Sequence, residues 1–276
     1  MLELAESYSM AQQLTDTVKG KIIENVTANA SPHRFAWYSG DPDNYRSLLK
    51  GKKIDGARSV GGQVEITAND MRIVLNDGVN IRFFEAGEKL PRKHQLHLVF
   101  DDQSSLICSV QMYGGLWVFH EGENDNPYYL IAKEKPSPLS PGFTKQYFDA
   151  LYDKEQSKNL SAKAFLATEQ RIPGLGNGVL QDILYNAKIH PKRKINTLNS
   201  QEIDGLYEAI VATLSRMASN GGRDTEKNLY GNKGSYITAL SKYTVGKPCP
   251  VCGTLIKKEA YLGGSIYFCE GCQKNA

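Results

Sequence analysis

No stretch of this chain is apolar for long enough to span a bilayer, and no internal repeat or low-complexity tract is present. Cysteine is scarce, with five among 276 residues, so a disulfide framework is excluded as the main staple of the fold. Tryptophan occurs twice, as Trp37 and Trp117, and both are expected in the core or at a rim. The five histidines show no metal-ligand spacing. The opening MLELAESYSMAQQ has no basic segment leading into an apolar one, so it does not read as a secretory signal. A cytoplasmic location, with no membrane partner, is the expectation.

What is present fits a folded protein of two modest domains with a small appended module. Apolar residues make up 41%, charged residues 23%, and mean hydropathy is −0.42. The net charge of +3 is unevenly placed. Residues 1–142 hold 15 Lys and Arg against 18 Asp and Glu (net −3), and residues 143–276 hold 18 against 12 (net +6). A basic second half suits a polyanionic partner and equally suits simple solubility.

From Leu2 to Lys19 the apolar residues Leu4, Ala5, Tyr8, Ala11, Leu14 and Val18 recur at helical spacing, with Gly20 as a stop. From Lys21 to about Lys133 the pattern changes to short β-rich runs: KIIENVTA, QVEITA, MRIVL, NIRFF, HLVFD, SLICSV and LWVFH. That spacing predicts an antiparallel sandwich or barrel. Three prolines within six positions of KEKPSPLSPGF cannot continue helix or sheet and mark a linker. Beyond it, helices are predicted over 143–154, 161–170, 178–187 and 200–219, the last capped by Asn199 or Ser200. The expected architecture is multi-domain α+β. A helix plus antiparallel β-sandwich spans 1–133, a linker 134–142, a helical domain 143–242, and a small finger 243–276.

The finger is too small to fold on an apolar core alone. Cys249 and Cys252 form C-P-V-C, Cys269 and Cys272 form C-E-G-C, and sixteen residues separate the pairs. Two close thiolate pairs supply the closed tetrahedral shell of a structural Zn²⁺ in a zinc ribbon. Cys108 lies apart, inside the apolar run LICSV.

The segment RIPGLGNGVLQDILYNAKIHP, residues 171–191, has glycines that permit a tight turn before a helix N-terminus whose free N–H groups suit a phosphate. Together with the C-P-V-C-G and C-x-x-C-Q ribbon, it resembles the helix-two-turn-helix element of the formamidopyrimidine-DNA glycosylase / endonuclease VIII family. The domain order agrees, so the resemblance covers essentially the whole chain. It implies a monomeric protein of base excision repair that binds double-stranded DNA, damaged or abasic. The positions implied to grip phosphate are Asn177 and Lys163, with Gly176 in the turn. Lys188, Lys192, Arg193 and Lys194 could neutralise backbone charge, or form a solvated helix end. Residues 221–236, GGRDTEKNLYGNKGSY, occupy the place of the family's lesion-contacting loop, which makes Arg223 a candidate DNA contact.

The catalytic end departs from the pattern. Family members start M-P-E-L-P-E, and the proline amine attacks the sugar C1′ while the adjacent glutamate assists proton transfer. Here the start is M-L-E-L-A-E, so Glu3 and Glu6 stay in register while Leu2 replaces the nucleophile. An N-terminal amine can still form a Schiff base. Methionine before bulky leucine is expected to be retained, which puts the amine on Met1, about 3.5 Å beyond its usual place; otherwise it falls on Leu2. The catalytic lysine is expected near Val60 or Gly61, where none stands. Glu85 falls where a gap-filling methionine is expected, and Gly264 and Ile266 fall where a phosphate-clamping arginine and a threonine are expected. The sequence therefore supports a DNA glycosylase / abasic-site lyase with weakened or altered catalysis, and alternatively a catalytically silent binder of damaged or abasic DNA. A ribbon scaffold for protein or RNA ranks below both.

Overall fold

The computed structural model describes residues 2–76 and 78–274. A first helix, α1 (Leu4–Val18), precedes nine strands: β1 (Ile23–Ala28), β2 (Ala36–Tyr38), β3 (Ile54–Val60), β4 (Gln63–Ala68), β5 (Met71–Leu75), β6 (Val79–Phe84), β7 (Leu96–Phe100), β8 (Ser105–Val110) and β9 (Gly114–His120). A short helix, α2 (Tyr45–Leu49), interrupts them. The strands form two sheets, ordered β1-β7-β8-β6 and β2-β9-β5-β4-β3. Alternation explains the pairing. β6 and β7 bury every second residue, placing Ile81, Phe83, Leu96 and Leu98 inside, whereas β5 is buried along its whole length.

The sheets are the expected antiparallel sandwich with one addition: β2 pairs with β9 in parallel, through Ala36–Gly114, Trp37–Gly115 and Tyr38–Leu116. A three-residue edge strand can join in either direction, since the long stretch of chain between Tyr38 and Gly114, and not a hairpin, separates it from its partner.

The second half contributes α3 (Pro127–Glu134), α4 (Lys145–Tyr152), α5 (Glu155–Lys158), α6 (Ala162–Ala167), α7 (Val179–Asn186) and α8 (Ser200–Ser219), then a hairpin of β10 (Lys257–Tyr261) and β11 (Gly264–Phe268). α8 starts at a reciprocal capping box between Asn199 and Glu202. Asn199→Ala should lower the stability of the folded chain by about 1 kcal/mol, read as a shift in urea midpoint. The hairpin turns on Leu262 and Gly263, both at positive φ, as a two-residue turn that follows strand twist requires.

Two apolar cores result, and α1 belongs to both. Met10, Leu14 and Val18 pack with the sheets, while Leu4 and Ala5 pack with α6, α7 and α8. Leu229, from the loop after α8, returns to the sheet core, where its carbonyl accepts the Phe83 N–H at 3.0 Å. The helical half and the β half are thus knit through α1 and this loop.

Candidate nucleic-acid interface

Between the halves lies a cleft of about 550 Å³, lined by Leu2 and Glu3, the β3–β4 turn, Trp37, Asn76, Tyr113, Trp117 and the 167–177 segment. Its floor is built from glycines. The Gly174 carbonyl accepts the Leu4 N–H at 2.8 Å, and a Cβ on Gly174 would stand 2.1 Å from the Gly62 nitrogen. A Cβ on Gly176 would stand 2.6 Å from the Glu3 carboxyl carbon. The G-L-G-N sequence therefore lets the turn press directly against the start of the chain.

Glu3 gains from that contact. Its two oxygens accept the N–H groups of Gly178 (2.8 Å) and Val179 (2.7 Å), so a carboxylate from the far end of the sequence caps α7. The helix N-terminus expected to be open for a phosphate is occupied by Glu3. Burial raises the Glu3 pKa, the Arg223 guanidinium opposes that rise, and Glu6 adds to it.

Arg223 corrects an expectation. It is only 3% exposed, and its guanidinium grips Glu6 at 2.8 Å through both Nε and Nη2, with Glu3 at 3.5 Å. A guanidinium committed to two buried carboxylates does not face a phosphate. Glu6 is correspondingly withdrawn: burial pushes its carboxyl up, but the charge and hydrogen bonds of Arg223 outweigh this and hold it below the usual range. No sequence rule pairs residues this far apart, and only the isolated arginine in a Gly-rich loop could have drawn attention.

Met1 lies outside the described residues, and Leu2 is buried at the cleft wall. The absence of lysine at 60–62 has a steric side. A Cβ on Gly61 would meet Pro173 at 3.1 Å, and one on Gly62 would meet the Gly174 Cα at 3.2 Å. Gln63 follows, lining the cleft with its Oε1 unpaired. Glu85 is exposed beyond the end of β6 and does not line the cleft. The rim there carries Trp37, 47% exposed, packed on Tyr113 with ring centroids 5.9 Å apart.

On the opposite side the ribbon hairpin lies against the turn. Asn177 Nδ2 donates to the Ser265 carbonyl at 2.9 Å, and Gln181 links Asn177, Ser265 and Tyr267. Lys163, drawn below the ordinary lysine range by burial, donates to the Tyr261 carbonyl, and both Lys163 and Lys192 stand over the Tyr261 ring. Gly264 fits tightly, with Asn177 and Lys163 each 3.4 Å from where its Cβ would be. Lys192 also pairs with Glu259. Arg193, from the same basic run, holds Glu202 and the Thr197 carbonyl with its guanidinium, locking the start of α8.

The sulfurs of Cys249, Cys252, Cys269 and Cys272 lie within 4.8 Å of one another, with 3.7 Å and 3.3 Å between pairs. A tetrahedron of thiolates about 2.3 Å from a metal has edges of roughly 3.8 Å, whereas a disulfide requires about 2.0 Å. The cluster can hold a metal ion. It is the one His/Cys/Asp/Glu group of this kind among the described residues. The Tyr185 hydroxyl, 3.1 Å from Cys249 Sγ, ties it to α7.

A two-layer β domain, a glycine-turned helical domain that shares a cleft with it, and a four-cysteine hairpin packed against the turn define a helix-two-turn-helix protein with a ribbon able to hold a metal ion. Residues 135–228 match the formamidopyrimidine-DNA glycosylase H2TH domain. The formamidopyrimidine-DNA glycosylase of Symbiobacterium thermophilum is 31% identical over 99% of this chain and 89% of its own length, and that of Bacillus anthracis is 29% identical over 99% of each. Among solved structures, the MutM (Fpg) protein of Thermus thermophilus superposes with a TM-score of 0.82 at 23% identity, covering 99% of both chains. The Lactococcus lactis Fpg in complex with abasic-site DNA gives the same values. This chain belongs to the formamidopyrimidine-DNA glycosylase family.

Proposed function

We propose that the chain binds duplex DNA carrying a damaged base or an abasic site in the 550 Å³ cleft, and acts in base excision repair with attenuated glycosylase and abasic-site lyase chemistry. One observation carries this reading: Glu3 is fixed at the cleft floor by two backbone N–H groups, two residues from Met1, whose amine is the expected nucleophile. Relatives named as glycosylases over the full chain length support it, as does the Lactococcus lactis complex. Zinc is the ion the four thiolates suit, in a structural role, since four sulfurs leave no open position for substrate.

The competing reading, a silent binder of the same DNA, is favoured by the β3–β4 turn, where no lysine stands at 60–62 and Gly61 and Gly62 lie close against Pro173 and Gly174. Borohydride trapping on abasic-site duplex separates the two. A covalent adduct at the N-terminal residue, located by mass spectrometry, is expected for the lyase. Damage-selective binding without an adduct assigns the silent role. In both cases affinity should fall steeply with salt, because phosphate contacts release counterions. Salt-insensitive binding, or none, would overturn both.

A further inference from the structure

Glu3 and Glu6 start from the same chemistry, one helical turn apart, yet the fold treats them differently. Glu6 is engaged on three sides by one residue, accepting the Arg223 N–H at 3.2 Å and its Nε and Nη2 at 2.8 Å. Glu3 meets Arg223 at 3.5 Å, accepts two N–H groups of α7, and lines the cleft that Glu6 does not reach. We propose that Arg223 is a positioning residue that divides the two glutamates, binding Glu6 as a permanent counter-ion and leaving Glu3 as the one carboxyl of the pair able to exchange a proton with a ligand in the cleft. Only in calling that ligand a substrate does the proposal rest on the function given above.

Three further observations support it. Gly178 is required by Arg223: a Cβ there would lie 1.7 Å from the guanidinium Nη1, so the glycine after Asn177 is the slot through which the arginine reaches Glu3. The loop behind Arg223 is itself anchored, by Leu229 to Gln13 at 3.0 Å and by Tyr230 to Thr17 at 2.6 Å. The titration of the pair is split in the matching sense, Glu6 held low and Glu3 raised. The groups facing Glu3 are Arg223 from the loop, Glu6 on its own helix, and the Gly178 and Val179 N–H groups of α7. Beyond these, Glu226 acts on Arg223, and Asp182 of α7 feels the Arg223 charge.

The signs follow by linkage. Glu6, with a lowered folded pKa, contributes stability that is full above its ordinary 4.5 and is lost as pH falls through the folded value. Glu3, with a raised one, favours the fold most when protonated, and that contribution fades as pH rises from 4.5 through its folded value.

The test is carboxyl-carbon NMR of the full chain labelled at glutamate, titrated as wild type, as Arg223→Met, and as Arg223→Met/Glu6→Gln. The double variant guards against unfolding, because it removes both partners of the tightest pair. In wild type, Glu6 should titrate below Glu3. In the double variant Glu3 should titrate higher still, because the arginine it loses acts on it more strongly than the glutamate it loses. A Glu3 titration unmoved by the double variant would overturn the proposal. A second readout is steric: Gly178→Ala should destabilise the wild type and be tolerated in Arg223→Met, a coupling on the order of tenfold or more in the folding equilibrium. Additive effects would overturn the slot argument. Neither measurement uses DNA, so failure of damaged-DNA binding would leave both results standing.

Discussion

Removal of the metal from the four-cysteine cluster is expected to unfold the ribbon and release it from the helical domain while the β-sandwich remains folded. The buried apolar group around the cluster is small, comprising Tyr185, Leu240, Cys249, Ile256 and Cys269, and two of these belong to the sulfur cluster itself. Burial of such side chains is worth roughly 1.5–3 kcal/mol each, and ordering about thirty residues costs more than a few such terms return. A structural zinc contributes on the order of 10–16 kcal/mol at neutral pH, more than any single apolar contact in so small a segment. Once the ribbon melts, the hydrogen bonds it supplies to the turn go with it: Asn177 and Gln181 to Ser265, Gln273 to the Ile189 carbonyl, and the edge contact of Phe268 with His190 at 4.5 Å. Cys252→Ser is the cleanest variant, because Cys252 is exposed and its loss leaves no core cavity. Metal content by mass, proteolysis of residues 243–274 and affinity for abasic duplex should all change together. Acidification should release the metal, since protons compete for the thiolates. A metal-free chain that keeps its ribbon protected from protease would refute this account.

The readability of the sequence followed the range of the interactions involved. The span of α8 is set by local periodicity and its cap, and β4, β5 and β8 by short, nearly continuous apolar runs, and they stand where those signals place them. β3 was not visible because IDGARSV carries Asp55 and Arg58 and shifts register between Ile54 and Gly56, so its alternation is blurred. The helix α3 had its signals, an Asn126 cap and Pro127 in the first turn, but they fall inside the stretch to about Lys133 that the short strands dominate. The cysteine cluster was legible because spacing alone carries it. What could not be read was the fate of Arg223: its partner Glu6 is 217 residues away, and a basic residue in a Gly-rich loop looks the same whether it faces solvent or is buried. The same limit applied to Arg193, whose partner Glu202 lies across a turn, and to Glu3, whose role as the cap of α7 depends on two segments meeting. Resemblance supplied the juxtaposition that local pattern could not, and only the geometry showed that the arginine faces inward.

The contact on which all of this rests predicts that Gly174→Ala will be among the most damaging single substitutions in the chain. Two costs add. The residue has φ +79, where an L side chain costs about 1–2 kcal/mol. Its Cβ would also lie 2.1 Å from the Gly62 nitrogen and 2.4 Å from the Gly61 carbonyl carbon, and overpacking against backbone costs typically 1–3 kcal/mol because no rotamer relieves it. A loss of roughly 2–5 kcal/mol is a large part of the stability of an ordinary domain. Gly20→Ala supplies the control: it has φ +89 with nothing within 4 Å, so it tests the backbone cost alone. The urea midpoint of Gly174→Ala should fall well below that of Gly20→Ala. Relief by movement has one direction, the turn backing away from the start of α1, and that breaks the Leu4 N–H to Gly174 bond and pulls α7 from the Glu3 carboxylate. Affinity for abasic duplex should therefore drop even in the fraction that remains folded, whereas Gly20→Ala should bind as wild type. Equal stability and equal binding for the two variants would mean that the turn and the chain start are not in close contact, and the cleft floor described here would not exist.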